Sequence, residues 1–229
     1  MSDSIQFSKW DLNTFVCVNE KSVPGFGNLL ESWFDVHRKY CDGVPLDHPW
    51  AYSERPQIGL LSNAAALIGG VSFEEWHTEK ISDQGNCYGR NDLWLRLDPP
   101  SDKKDYQIEA KFARLALHRP ISNSAQVIVQ TMKDARECAE RLNPKNGKIL
   151  VVSFFALRFE DENIESLDNK IRELLLHIQQ PNQEGKFFDA VAAIWSDAND
   201  FQTARKERKQ VAKEWKNNDV GMVLLVNCI

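Results

Sequence analysis

The chain lacks any run of about 18 consecutive apolar residues, the length a helix needs to cross a bilayer. Within MSDSIQFSKWDLN no basic stretch leads into an apolar one. Neither membrane insertion nor secretion is therefore expected, and the expected location is cytoplasmic. Cysteine is sparse: Cys17, Cys41, Cys87, Cys138 and Cys228 are odd in number, scattered, and never spaced C-x-x-C. That pattern argues against a disulfide framework or a thiolate zinc site, so free thiols are expected. There is no G-x-x-x-x-G-K-[ST] and no G-x-G-x-x-G after a strand, so nucleotide-fuelled chemistry has no phosphate cradle. Basic residues are in deficit, 28 against 33 acidic, for a net charge of −5. Contact with a polyanion would have to use local basic patches rather than the overall field.

What is present suits a folded domain. Hydrophobic residues make up 42 % of the 229 and charged residues 27 %, too apolar for general disorder and enough for one substantial core. FGNLLESWFDVHRKY places Phe26, Leu29, Leu30, Trp33, His37 and Tyr40 at helical spacing after the Pro24-Gly25 break. CDGVPLDHPW then reads as a loop. A second helix is expected from about residue 54 to 68, with Ser53 as cap, Pro56 in the first turn and Gly69-Gly70 as the stop.

Three strands are expected next. VSFEEWHTEKI reads as the first, DQGNCYGR as turn, and NDLWLRL as the second, with Leu93, Leu95 and Leu97 alternating. In DYQIEAKFARL, Tyr106, Ile108, Ala110 and Phe112 fall on one face, and Gln107, Glu109 and Lys111 on the other. Residues 124–142 have helical periodicity, and KILVVSFFALRF is a continuous apolar run, as a strand covered on both faces requires. A helix at 167–178, a strand in FFDAVAAIW, a helix from Phe201 to Trp215 and a strand in VGMVLLVNCI complete the order. The expectation is a single α/β domain with a mixed sheet flanked by helices: an N-terminal helical decoration over 1–52, a core over 53–157 and an α/β extension over 158–229.

The order α-β-β-β-α-β, with Asp92 opening the second strand in GRNDLWL and Glu109-Ala110-Lys111 inside the third in IEAK, resembles the core of the PD-(D/E)XK nucleases. Glu54, in the Ser53-Glu54-Arg55 start of the preceding helix, stands where many members carry an acidic residue. Two letters depart from the pattern: Asn91 rather than Pro precedes Asp92, and Phe112 rather than a polar residue follows Lys111. The resemblance spans roughly 53–157 and implies a restriction-endonuclease-like fold.

The resemblance also implies a Mg²⁺- or Mn²⁺-dependent nuclease acting on nucleic acid, DNA in the first instance, in settings such as bacterial defence or DNA processing. Phosphodiester hydrolysis needs a divalent cation to neutralise non-bridging oxygens and activate water, and hard oxygen ligands suit Mg²⁺. Asp92 and Glu109 would supply such ligands, since same-face neighbours on paired strands lie about 5 Å apart at Cβ. The Ala110 carbonyl can add a ligand, Lys111 can orient the water, and Glu54 is the further catalytic carboxylate, with Glu75 its rival as metal ligand.

Other features have plainer readings. The basic series Arg205, Lys206, Arg208, Lys209, Lys213 and Lys216 suits a solvated helix face as well as a phosphate track. Arg114, His118 and Arg119 follow the Glu-x-Lys strand and can meet phosphates there. His77 and His118 fall near the proposed site in sequence, yet surface or packing roles suit both, and Cys87 has no nucleophile signature around it. The tryptophans read mainly as core filling. The competing expectation, from another class, is a catalytically inactive nuclease-fold module acting as a subunit or effector partner, consistent with the net acidity. A homodimer is compatible with either.

Overall fold

The computed structural model describes residues 12–44, 47–82, 85–97, 104–142, 147–160, 166–180, 188–198, 201–202 and 218–229, with the side chains of 79, 81, 82, 85–88 and 104 outside the description. The strands are β1 (Leu12–Val18), β2 (Val71–Ser82), β3 (Gly85–Leu97), β4 (Lys104–Ala116), β5 (Lys148–Arg158), β6 (Ala190–Ser196) and β7 (Asp219–Cys228). The helices are α1 (Phe26–Gly43), α2 (Glu54–Leu67), α3 (Ile121–Ala139) and α4 (Leu167–Ile178), with a 3₁₀ turn at Pro49–Ala51. The expected basic helix continues into residues 203–217, which lie outside the described residues.

One seven-stranded sheet, in the order β1-β6-β7-β5-β4-β3-β2, organises the chain. Only β4 and β5 pair in parallel, and α3 is their crossover; the remaining pairs are antiparallel. The fold is therefore α/β with a mixed sheet. Strand β5 explains its own sequence: Leu150, Val152, Phe154 and Ala156 enter one apolar cluster with α1 and α2, while Val151, Phe155 and Leu157 enter the other with α3 and α4. A strand covered on both faces has no solvated side on which to place polar residues.

Two departures from the sequence reading have physical causes. Residues 12–18, expected within a helical decoration, form an edge strand paired with β6. LNTFVCV is short and only half-buried, so its alternation is weak. The C-terminal segment, expected as an α/β extension of the core, adds strands to the same sheet: β7 pairs directly with β5, and β6 with β7. In the β2–β3 hairpin, Ser82 already faces Gly85, so GNCYGR, expected as turn, is strand, and residues 83–84 of the expected turn lie outside the described residues.

Helix α2 matters most to the site. Ser53 occupies its N-cap, but its side chain makes no capping hydrogen bond. The stop is as expected: Gly69 adopts φ 80°, a left-handed conformation that glycine enters without a Cβ penalty. Gln57, Ile58, Leu61, Ala64 and Ala65 are buried, directing the helix against β2, β3, β4 and α1 and leaving Glu54 in its first turn.

Candidate active site at the β3–β4 divergence

Regular β3–β4 pairing runs from Leu97↔Lys104 to Leu93↔Ile108 and goes no further. At the next residue the Asp92 side chain takes over: its Oδ2 accepts the Ala110 N–H at 2.7 Å. The carboxylate therefore sits where two strands part, held by backbone. Lys111 turns back onto the same residue, its Nζ donating to the Ala110 carbonyl at 2.8 Å.

Glu109 is nearly buried, and its Oε1 accepts from Lys80 Nζ at 2.6 Å. Lys80 comes from the far half of β2, which reaches β4 beyond β3. Nearby, Thr78 Oγ1 donates to Gln107 Oε1 at 3.3 Å, and Lys80 forms an isolated bridge with Leu142. Burial raises the Glu109 carboxyl above its ordinary value, opposed by the Lys80 hydrogen bond, reinforced by the Asp92 charge, and opposed again by the charges of Lys80 and Lys111.

Glu54 joins the group from α2. Burial raises its carboxyl; Lys111 pulls it down, Asp92 and Glu109 push it up, and Arg55 pulls it down. Four residues drawn from one helix and two strands are thus close enough to act on one another electrostatically. The α2 N-terminus also favours negative charge at Glu54.

Glu75 is engaged elsewhere, 2.9 Å from Arg55 and 3.4 Å from Arg90. Arg114 is drawn to the buried Asp219, donating at 3.3 Å, and His118 lies 3.8 Å from Glu160. Arg119 and His77 are exposed, and the Cys87 side chain lies outside the described residues. Lys80 escaped the sequence reading because its only signal is register along a long hairpin.

Carboxylates on β3 and β4 and the Ala110 carbonyl are the hard oxygen donors that suit a divalent cation, with waters completing the shell. Among the described residues, no group of three or more His, Cys, Asp or Glu side chains is gathered closely enough to hold a metal ion. Any such site would therefore rest on Asp92, Glu109 and the Ala110 carbonyl. No family model, curated protein or solved structure matches the chain.

Proposed function

We propose that this chain is a metal-dependent nuclease with a restriction-endonuclease-like core of the PD-(D/E)XK kind, hydrolysing phosphodiester bonds in nucleic acid, DNA in the first instance. One observation carries the reading: Asp92, Glu109, Lys111 and Glu54, singled out by the resemblance, share one electrostatic neighbourhood where β3 leaves β4. A bound Mg²⁺ or Mn²⁺ would neutralise phosphate charge and lower the pKa of a water. Asp92, Glu109 and the Ala110 carbonyl would hold it. Lys111 positions an ammonium beside that carbonyl, where it orients the attacking water and offsets developing charge. Glu54 supplies a partly buried carboxylate that can accept a proton or bind an outer water. Lys80 stands against Glu109 as a cation would, opposing the rise that burial imposes on its carboxyl.

The same ion pair supports a second reading. A Glu109 already neutralised by Lys80, with no ready three-ligand group among the described residues, also suits a nuclease-fold interaction module in which the carboxylates are structural. Manganese titration followed by electron paramagnetic resonance separates the two. The nuclease reading expects saturable binding by the wild-type chain, weakened at least about tenfold in Asp92→Asn, the scale on which even outer-shell changes act. Absence of binding by the wild-type chain would favour the module.

A further inference from the structure

Phe73, Trp76 and Trp94 form an aromatic cluster on the β2–β3 hairpin. Ring centroids lie 5.3 Å apart for Phe73 and Trp76, 5.7 Å for Phe73 and Trp94, and 6.0 Å for Trp76 and Trp94. This is no core: Phe73 is 48 % exposed and Trp76 43 %. It contrasts with Trp33 and Trp50, which are fully buried and fill the core as the sequence suggests.

The cluster exists because β2 breaks its own alternation. Residues 73 and 76 of a regular strand point to opposite faces, yet their rings touch. Between them Glu75 adopts φ 53°, a left-handed conformation that non-glycine residues seldom enter. Pairing is regular on either side, Glu74↔Leu93 and Trp76↔Asn91, so the irregular residue stands across from Asp92. Trp94 lies two residues along from Asp92, about 7 Å on the same face of β3.

Two exposed arginines stand at the edge of the cluster. Arg55 and Arg90 share the single carboxylate of Glu75, and their side chains are 80 % and 58 % exposed. Arg96 lies over the Trp94 ring at 5.1 Å while tied to Asp105 through two hydrogen bonds. The surface therefore presents flat apolar rings with two exposed guanidinium groups, sharing the Glu75 carboxylate, beside the proposed catalytic carboxylate. A complementary partner carries planar apolar faces and negative charge in alternation.

Resting on the nuclease reading, we propose that Phe73, Trp76 and Trp94 stack against unpaired bases, so that the substrate is single-stranded nucleic acid or a strand with splayed bases. Arg55 and Arg90 meet its phosphates. Stacking is tolerant of sequence because every base has a π face, and paired bases inside a duplex do not expose theirs. A second copy of the chain fits less well: a left-handed residue interrupts the β2 edge along which strands would add, and a two-fold contact would bring the same arginines together.

The test is fluorescence anisotropy of a labelled single-stranded oligodeoxythymidylate, against a duplex of equal length, with chelator present so that neither cutting nor metal binding contributes. Wild-type protein is expected to bind the single strand more tightly. Trp76→Ala should weaken that binding at least about tenfold, the scale of one lost stacking contact, and Trp76→Phe should recover most of it. Equal affinity for both forms, or unchanged binding by Trp76→Ala, would overturn the platform without touching the catalytic assignment, which cleavage by Asp92→Asn tests separately. Sedimentation showing that Trp76→Ala turns a dimer into a monomer would also overturn it, assigning the rings to a contact between copies.

Discussion

Glu109→Gln should abolish metal-dependent cleavage while leaving the fold at neutral pH as stable as wild type or more so. Loss of a direct metal ligand removes several kcal/mol of transition-state stabilisation, at least about a thousandfold in rate. The stability half follows from burial. The Glu109 carboxyl is raised chiefly by desolvation, with Lys80 opposing. A carboxyl with a raised folded-state value favours folding below its unfolded value, and that contribution is lost as pH rises through the folded one. Above the folded-state value the ionised group is thus a cost that glutamine does not carry, and the amide oxygen still accepts from Lys80. Cleavage assays and thermal denaturation of the same preparation check both halves. Cleavage within tenfold of wild type, or a collapsed fold, would contradict the assignment.

His37 gives a large pH effect on stability between neutral pH and pH 4. Its ring is fully buried between Trp33 and Trp50, with centroids 4.2 Å and 6.4 Å away, and Nδ1 donates to the Trp33 carbonyl at 2.9 Å. Burial lowers its pKa from 6.5 to about 4, opposed by the Trp33 carbonyl and by Gln57. The unfolded chain takes up a proton below 6.5 that the folded chain refuses. The contribution is therefore complete above that pH and lost as pH falls towards 4, amounting to about 3 kcal/mol. The raised carboxyls of Glu54, Glu109 and Asp219 act in the opposite sense, so the comparison must be with His37→Asn, which keeps an amide to donate to Trp33. Urea unfolding at pH 7 and pH 4 should show the wild type losing about 3 kcal/mol more than the variant. Parallel losses would contradict it. The effect bears on the site because His37 lies where α1 packs on α2, the helix that carries Glu54.

The shared face of Glu109 and Lys111 was legible in the sequence because strand alternation is local. Once Tyr106, Ile108 and Ala110 define the core face, Glu109 and Lys111 must share the other. The continuous apolar run of β5 announced a central strand for the same reason. Lys80 was not legible: its contact with Glu109 spans 29 residues and depends on how far a hairpin bends past its neighbour. Trp76 was misleading, because its place beside Phe73 follows from a left-handed backbone at Glu75, and glutamate carries no sequence signal for that conformation. The edge strand β1 was lost because a short, half-exposed strand places little apolar surface in register.

The most direct test of the catalytic assignment is incubation of plasmid, linear duplex and single-stranded DNA with wild-type and Asp92→Asn protein, in Mg²⁺, in Mn²⁺ and in chelator. Asparagine keeps an oxygen for the Ala110 N–H while removing the charge and turning the second oxygen into an amide donor, so the strand contact can persist when metal binding is lost. Cutting by the wild type that requires metal and disappears in Asp92→Asn is the predicted result. Cutting that survives the substitution, or no cutting of any substrate under any metal condition, would contradict the assignment of this site as a nuclease centre.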